Sequence, residues 1–261
     1  MRHAFPFLLA VLISAPAAAQ VSALDDTSLG GQNRYDNCLL LIRTAPLNAL
    51  NAATDWEKTG NGGGSAIHCE SVALVALRRY GEAGAKLDSL AKATPGSADR
   101  AALYDQAGNA WLLARRADKA QASFSAAIAF KPRDADLYLD RARAFALKPD
   151  WISADNDLSA ALSISPNRAD ILVLRASARH AQGKKADARA DIDKALKVSP
   201  GNADALEMRG DLKMEAGDQA GAKADWQAVV AQSPRSAAAS TARDRLATLS
   251  QPPPAAAPAK H

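Results

Sequence analysis

The 261-residue sequence predicts an all-α fold built as a solenoid, and three observations carry that prediction. Prolines stand at 132, 166, 200 and 234, each 34 residues from the next, and a fixed period of this length marks stacked copies of one supersecondary unit. The frame around them recurs as Pro132-Arg133-Asp134-Ala135-Asp136, Pro166-Asn167-Arg168-Ala169-Asp170 and Pro200-Gly201-Asn202-Ala203-Asp204, with Pro95-Gly96-Ser97-Ala98-Asp99 as a copy 37 residues upstream. Small residues recur twice per period, as Gly108 and Ala120, Ala142 and Ala154, Ala176 and Ala188, and Gly210 and Ala222, where they let two helix axes approach closely. A single helical hairpin cannot bury its own apolar face, whereas stacked neighbours bury it jointly.

Four copies carry further matching residues. Residues 101–134 have Tyr104, Ala107, Gly108, Trp111, Ala120, Phe124, Ala127 and Pro132, and residues 135–168 have Tyr138, Ala142, Phe145, Ala154, Leu158, Ala161 and Pro166. Residues 169–202 have Leu172, Ala176, Ala188, Ile192, Ala195 and Pro200, and residues 203–236 have Leu206, Gly210, Ala222, Trp226 and Pro234. In these residues the chain resembles the tetratricopeptide-repeat family. That resemblance implies a right-handed superhelix of antiparallel helix pairs whose first helices line a concave face. Arg179 and Lys213 depart from it, standing where the family usually has a large ring. Residues 64–97 fit a degenerate copy through Ile67, Ser71, Leu74, Ala83, Leu87 and Pro95. Each proline stops a second helix because it cannot continue one, and the Asp or Asn after it can cap the next helix.

The remaining segments follow in order. Residues 1–19 combine Arg2, an apolar run from Phe5 to Ser14 and a small-residue stretch ending at Ala19, the pattern of a secretory signal peptide cleaved before Gln20. Residues 20–63 form an N-terminal helical module, a worn hairpin with helices over 33–43 and 46–58. The glycine run at 60–64 lacks a following Gly-Lys-Ser/Thr and a preceding strand, so it predicts a helix connection and not a phosphate cradle. Residues 237–250 form a capping helix with Arg243 and Arg245 outward, and residues 251–261, rich in Pro and Ala, have no apolar period and predict a disordered tail.

Composition narrows the function classes. With 48% apolar and 23% charged residues the chain is of globular type, and 32 basic against 28 acidic residues leave a small excess that lends no support to nucleic-acid binding. Stable membrane insertion is not expected, because the apolar run near the start is too short to span a bilayer. Cys38 and Cys69 are the only cysteines, and in an exported protein an even count favours a disulfide, the alternative being two buried thiols. No metal-ligand spacing, nucleophile motif or cofactor fingerprint occurs, so the expectation is a non-enzymatic protein without cofactor, metal or catalytic residues.

Comparing the copies with one another predicts internal ion pairs. The seventh residue of the unit is Arg141, Arg175 and Arg209 in the last three copies, and the twenty-third is Asp157, Asp191 and Asp225. The degenerate copy reverses the signs, with Glu70 and Lys86, and the first strict copy has Ala107 and Ser123 there. Across an antiparallel pair these two positions face each other; coincidental surface charge is the alternative.

The resemblance also supplies candidate groove residues: Asp105, Asn109, Leu112, Leu113, Asp140, Arg143, Glu207, Asp211 and Glu215. Of the clamp that chaperone-tail readers of the family use, Asn109 survives, while Asp105, Asp140, Asp170 and Leu174 occupy the other positions. Carboxylates in the groove favour a protein or peptide partner bearing Lys or Arg. The functional expectation is therefore a protein-interaction scaffold in the cell envelope, periplasmic if the cell is Gram-negative and otherwise secreted. Two alternatives stand beside it: metal- or thiol-dependent activity around His68 and Cys69, and a self-associating structural spacer of unspecified oligomeric state.

Overall fold

The computed structural model describes residues 29–60 and 62–250, and among these there are thirteen helices and no strand. The signal segment expected at 1–19 and the tail expected at 251–261 lie outside the described residues. The described helices fall into two compact units, one within residues 14–166 and the other within residues 167–261. The N-terminal unit holds α1 (Leu29–Ile42), α2 (Pro46–Lys58), α3 (Gly63–Ala76), α4 (Tyr80–Ala93), α5 (Ser97–Leu113), α6 (Ala117–Phe130), α7 (Ala135–Ala146) and α8 (Trp151–Ile164). The C-terminal unit holds α9 (Ala169–Ala181), α10 (Lys185–Val198), α11 (Ala203–Glu215), α12 (Gln219–Gln232) and α13 (Ala237–Leu249).

In the N-terminal unit the core is built where the small residues were expected. Phe124, Leu74, Leu87 and Leu103 are fully buried, and Trp111 is nearly so. Gly108 is required at the α5–α6 crossing, because a Cβ there would stand 2.6 Å from the Phe124 ring. The glycine run does more than break the chain. Gly62 precedes α3, whose first turn contains Gly63 and Gly64, and a Cβ on Gly62 would press on Ala66 and the Trp56 ring. The three residues that lengthen the spacing before Ala101 are absorbed as an extra first turn, which makes α5 a 17-residue helix. Cys38 and Cys69 form a disulfide that fastens α1 to α3.

Helix starts follow the frame in part. Asp134 accepts from the Asp136 amide at 3.1 Å, Asn202 from Ala205 at 2.8 Å and Ser236 from Ala239 at 3.0 Å. At the equivalent place before α9 stands Arg168, which makes no side-chain cap.

Each repeated Arg meets its Asp through both oxygens. Arg141 Nε donates to Asp157 Oδ2 at 2.7 Å and Nη2 to Oδ1 at 2.8 Å. Arg175 reaches Asp191 at 2.9 and 2.7 Å, and Arg209 reaches Asp225 at 2.8 and 2.6 Å. Lys86 pairs with Glu70 at 2.8 Å in the degenerate copy. Where the pair is missing, Ser123 instead donates to Asp88 on α4 at 2.8 Å, and Trp111 Nε1 donates to the other oxygen of the same carboxylate. The two departures from the family ring acquire a reason here: Arg179 Nη1 lies 2.8 Å from Asp191, and Lys213 Nζ lies 2.8 Å from Asp225. Two cations therefore hold each buried carboxylate in the C-terminal unit, forming bridges between the helices of a pair.

Candidate functional site

Successive first helices of the pairs touch one another, α5 against α7 in one unit and α11 against both α9 and α13 in the other. The expected groove residues are therefore neighbours within each unit.

In the N-terminal unit, Asp105 and Asn109 lie one turn apart on α5, and Asn109 Nδ2 donates to Asp105 Oδ1 at 3.0 Å. Asp140 and Arg143 lie on α7, where Arg143 Nη1 donates to Asp140 Oδ1 at 2.5 Å. Asp105 itself has no Lys or Arg within ion-pair distance among the described residues. Its pKa is pushed up to about 7, first by burial and then by the charges of Asp140, Asp134 and Asp136, with Lys131 opposing. Burial also raises Asp140, with Arg143 acting against it. Asp140 is thus paired with Arg143, while the poorly solvated Asp105 beside it has no cation, an arrangement that an entering cation would relieve. Leu113 is half-buried one turn beyond Asn109 on the same helix. Leu112 is a correction to the expected groove: it is 3% exposed and packs in the cluster that also holds Ala144 and Leu147, so a partner cannot reach it. Burial in that cluster takes the residue after Trp111 out of the open side of the row.

The acids of the C-terminal unit are met internally. Arg245 on α13 forms an ion pair with Asp211 and stands 3.7 Å from Glu207. Arg245 was expected outward; it turns inward because α13 packs as the first helix of a further pair, bringing its ninth residue beside the ninth residue of α11. The Glu207 pKa is still pushed up to about 7, by burial and then by Asp211, with Arg245 opposing. Glu215 sits lower than an ordinary Glu: burial raises it, but hydrogen bonds from Lys185 at 2.7 Å and His180 at 2.9 Å outweigh that.

The residues of the thiol or metal alternative are committed elsewhere. Cys69 is in the disulfide, and His68 is buried with both ring nitrogens engaged. Tyr35 OH lies 2.7 Å from His68 Nδ1, and His68 Nε2 lies 2.7 Å from Gln106 Oε1. With a Gln oxygen accepting at Nε2, the proton sits there and the ring accepts from Tyr35 at Nδ1, the neutral form. Burial lowers the His68 pKa in the same direction and raises that of Tyr35 to about 12. This chain of contacts ties α1, α3 and α5 together. With both ring nitrogens hydrogen-bonded, neither is open to ligate a metal in this arrangement.

No family model matches the sequence, and no curated protein matches it either. Solved structures do. A MamA structure from Desulfovibrio magneticus RS-1, residues 41 to the end, superposes with a TM-score of 0.58 at 18% identity, covering 69% of this chain and 99% of that one. The thermophilic TPR protein TTC0263 of Thermus thermophilus gives 0.54 at 19% identity over 71% of this chain and 98% of that one. YrrB, described as a TPR protein with an unusual peptide-binding site, gives 0.54 at 18% identity over 74% and 98%. At these identities the likeness is one of fold.

Proposed function

We propose that this chain, which carries the tetratricopeptide-repeat fold, is a non-enzymatic scaffold of the cell envelope that binds a Lys- or Arg-bearing protein segment on the row of first helices. The observation that carries the reading is the under-neutralised pair Asp105 and Asp140, whose carboxyls are raised by burial and of which only Asp140 has a cation, Arg143. A cationic side chain entering there gains a charge-assisted contact and returns the carboxylates toward their ionised form. The peptide-binding site for which YrrB is described fits the same use of the fold. Export is supported by the leader-like pattern of residues 1–19 and by the Cys38–Cys69 disulfide, a bond that persists in oxidising compartments.

The test is capture from inside the groove. A photo-crosslinking residue at Leu113, half-buried on the same helix as Asp105, should trap a discrete envelope protein in the exporting cell, and Asp105→Asn with Asp140→Asn should abolish the adduct. If position 113 traps nothing while probes on the second helices trap a partner, the groove is not the binding surface.

A further inference from the structure

The small net positive charge of the chain conceals an uneven distribution in the N-terminal unit. Short turns make each helix pair antiparallel, so the turns within the pairs α1–α2, α3–α4, α5–α6 and α7–α8 emerge at one edge of this unit. An ion pair of 2.6 Å from Lys148, in the α7–α8 turn, to Asp118, in the first turn of α6, ties two of these turns together. Along this edge stand Arg43, Arg78, Arg115 and Arg116, all exposed and without an ion pair among the described residues. The acids nearby are already engaged: Glu82 holds Arg79 at 2.6 Å, and Asp118 holds Lys148.

Two of these arginines occupy an unfavourable backbone conformation. Arg78 has φ 59° and Arg115 has φ 55°, in the left-handed region that disfavours residues with a Cβ. The equivalent turns of the C-terminal unit use the residue suited to that region, Gly183 at φ 79° and Gly217 at φ 85°. Glycine would satisfy the turn in the N-terminal unit too, so the left-handed conformation does not itself call for a guanidinium group at either position.

The same edge also carries the most exposed aliphatic side chains of the described residues: Leu40 at 62%, Leu47 at 56% and Ile152 at 66%. They sit at the end of α1 and the starts of α2 and α8, interspersed with the arginines. A groove would suit a single peptide strand, whereas protruding turns in a row suit an extended flat surface. Free cations together with protruding aliphatics match a lipid interface, where basic groups meet anionic headgroups and apolar tips enter the acyl boundary.

We propose that this edge docks the protein peripherally on an anionic membrane surface, with the arginines on lipid phosphates and Leu40, Leu47 and Ile152 at the interface. The inference is independent of the groove, which lies on a different set of helix faces.

The experiment is vesicle co-sedimentation of the full-length chain, comparing phosphatidylcholine with phosphatidylcholine containing phosphatidylglycerol. Every version compared keeps the apolar run near the start of the chain, so only differences between variants and lipids are read. Arg78→Gly with Arg115→Gly should weaken binding to the anionic vesicles about tenfold or more, while thermal stability stays the same or rises because the left-handed residues are relieved. Ile152→Ser should weaken it with little salt dependence. Lys58→Ala with Arg133→Ala, removing equal charge from exposed sites at the opposite edge, should leave binding unchanged. The proposal is overturned if binding ignores the anionic lipid, if the opposite-edge variant loses as much as the glycine variant, or if soluble polyglutamate binds this edge while anionic vesicles do not. That last outcome would assign the edge to an acidic polypeptide.

Discussion

The two compact units share a repeat frame and fasten it differently. In the N-terminal unit the α5–α6 hairpin is held by shape, with Gly108 admitting the Phe124 ring, while α7–α8 has one cation, Arg141, on Asp157, and α1 is secured by the Cys38–Cys69 disulfide. In the C-terminal unit each hairpin has a carboxylate between two cations, Asp191 between Arg175 and Arg179 in α9–α10 and Asp225 between Arg209 and Lys213 in α11–α12. The groove acids divide the same way. Asp105 is left without a cation, whereas Asp211 and Glu215 are met by Arg245, Lys185 and His180. The comparison teaches that the 34-residue frame dictates helix spacing but not charge, and that an acidic groove residue is available to a partner only where its own unit has not already neutralised it.

The sharpest way to break this comparison is to cut each fastening and vary the salt. Phe124→Ala should cost about 3 to 5 kcal/mol, as buried aromatic truncations do, with little dependence on ionic strength. Asp191→Ala should cost about 2 to 4 kcal/mol, since it strands two partly buried guanidinium groups, and this cost should shrink as salt screens them. Denaturant unfolding at low and high salt distinguishes the two; equal salt responses would remove the distinction between the α5–α6 and α9–α10 hairpins.

The next effect is in pH. The folded-state pKa of Asp105, about 7, lies above its ordinary value of 3.8, so the folded chain holds this proton more tightly than the unfolded one. Its contribution is therefore fully present below the ordinary value and is lost as pH rises through about 7. Asp105→Asn should raise stability at pH 8 by about 1 to 3 kcal/mol and flatten the decline between pH 4 and 8. Thermal melts across that range measure it.

A smaller effect should follow from opening the other groove. Arg245→Gln removes the cation from Asp211 and Glu207, and binding of a Lys-rich peptide to the C-terminal unit should strengthen by several-fold. Titration of the peptide into the variant and the parent chain checks the direction.

Much of this was legible in the sequence because the repeat repeats its constraints. Pro132, Pro166 and Pro200 each end a second helix, and Gly108 and Gly210 recur where an aromatic ring needs room. The Arg and Asp pairing was legible for the same reason, since two positions changed together from copy to copy. Other features needed contacts that no single copy contains. Arg179 and Lys213 looked like losses of a ring until Asp191 and Asp225 were seen between two cations. Arg245 stands 34 residues after Asp211, so extending the period into the capping helix would have placed it in the groove, a signal that its assignment as an outward cap obscured. Leu112 was misplaced because the family's groove positions do not show which of two adjacent leucines is buried. The arginine edge has no signature in the repeat because its residues sit in turns, outside the helical positions on which the resemblance rests.

The central claim is that a cation from a partner binds at Asp105 and Asp140. Calorimetric titration of an oligolysine peptide near pH 7, in two buffers of different ionisation enthalpy, tests it most directly. If the cation drives these raised carboxyls to ionise, binding should release protons, the apparent enthalpy should differ between buffers, and Asp105→Asn should abolish most of that difference. Binding of the same strength with no proton release, or release undiminished in the Asp105→Asn variant, would contradict the account.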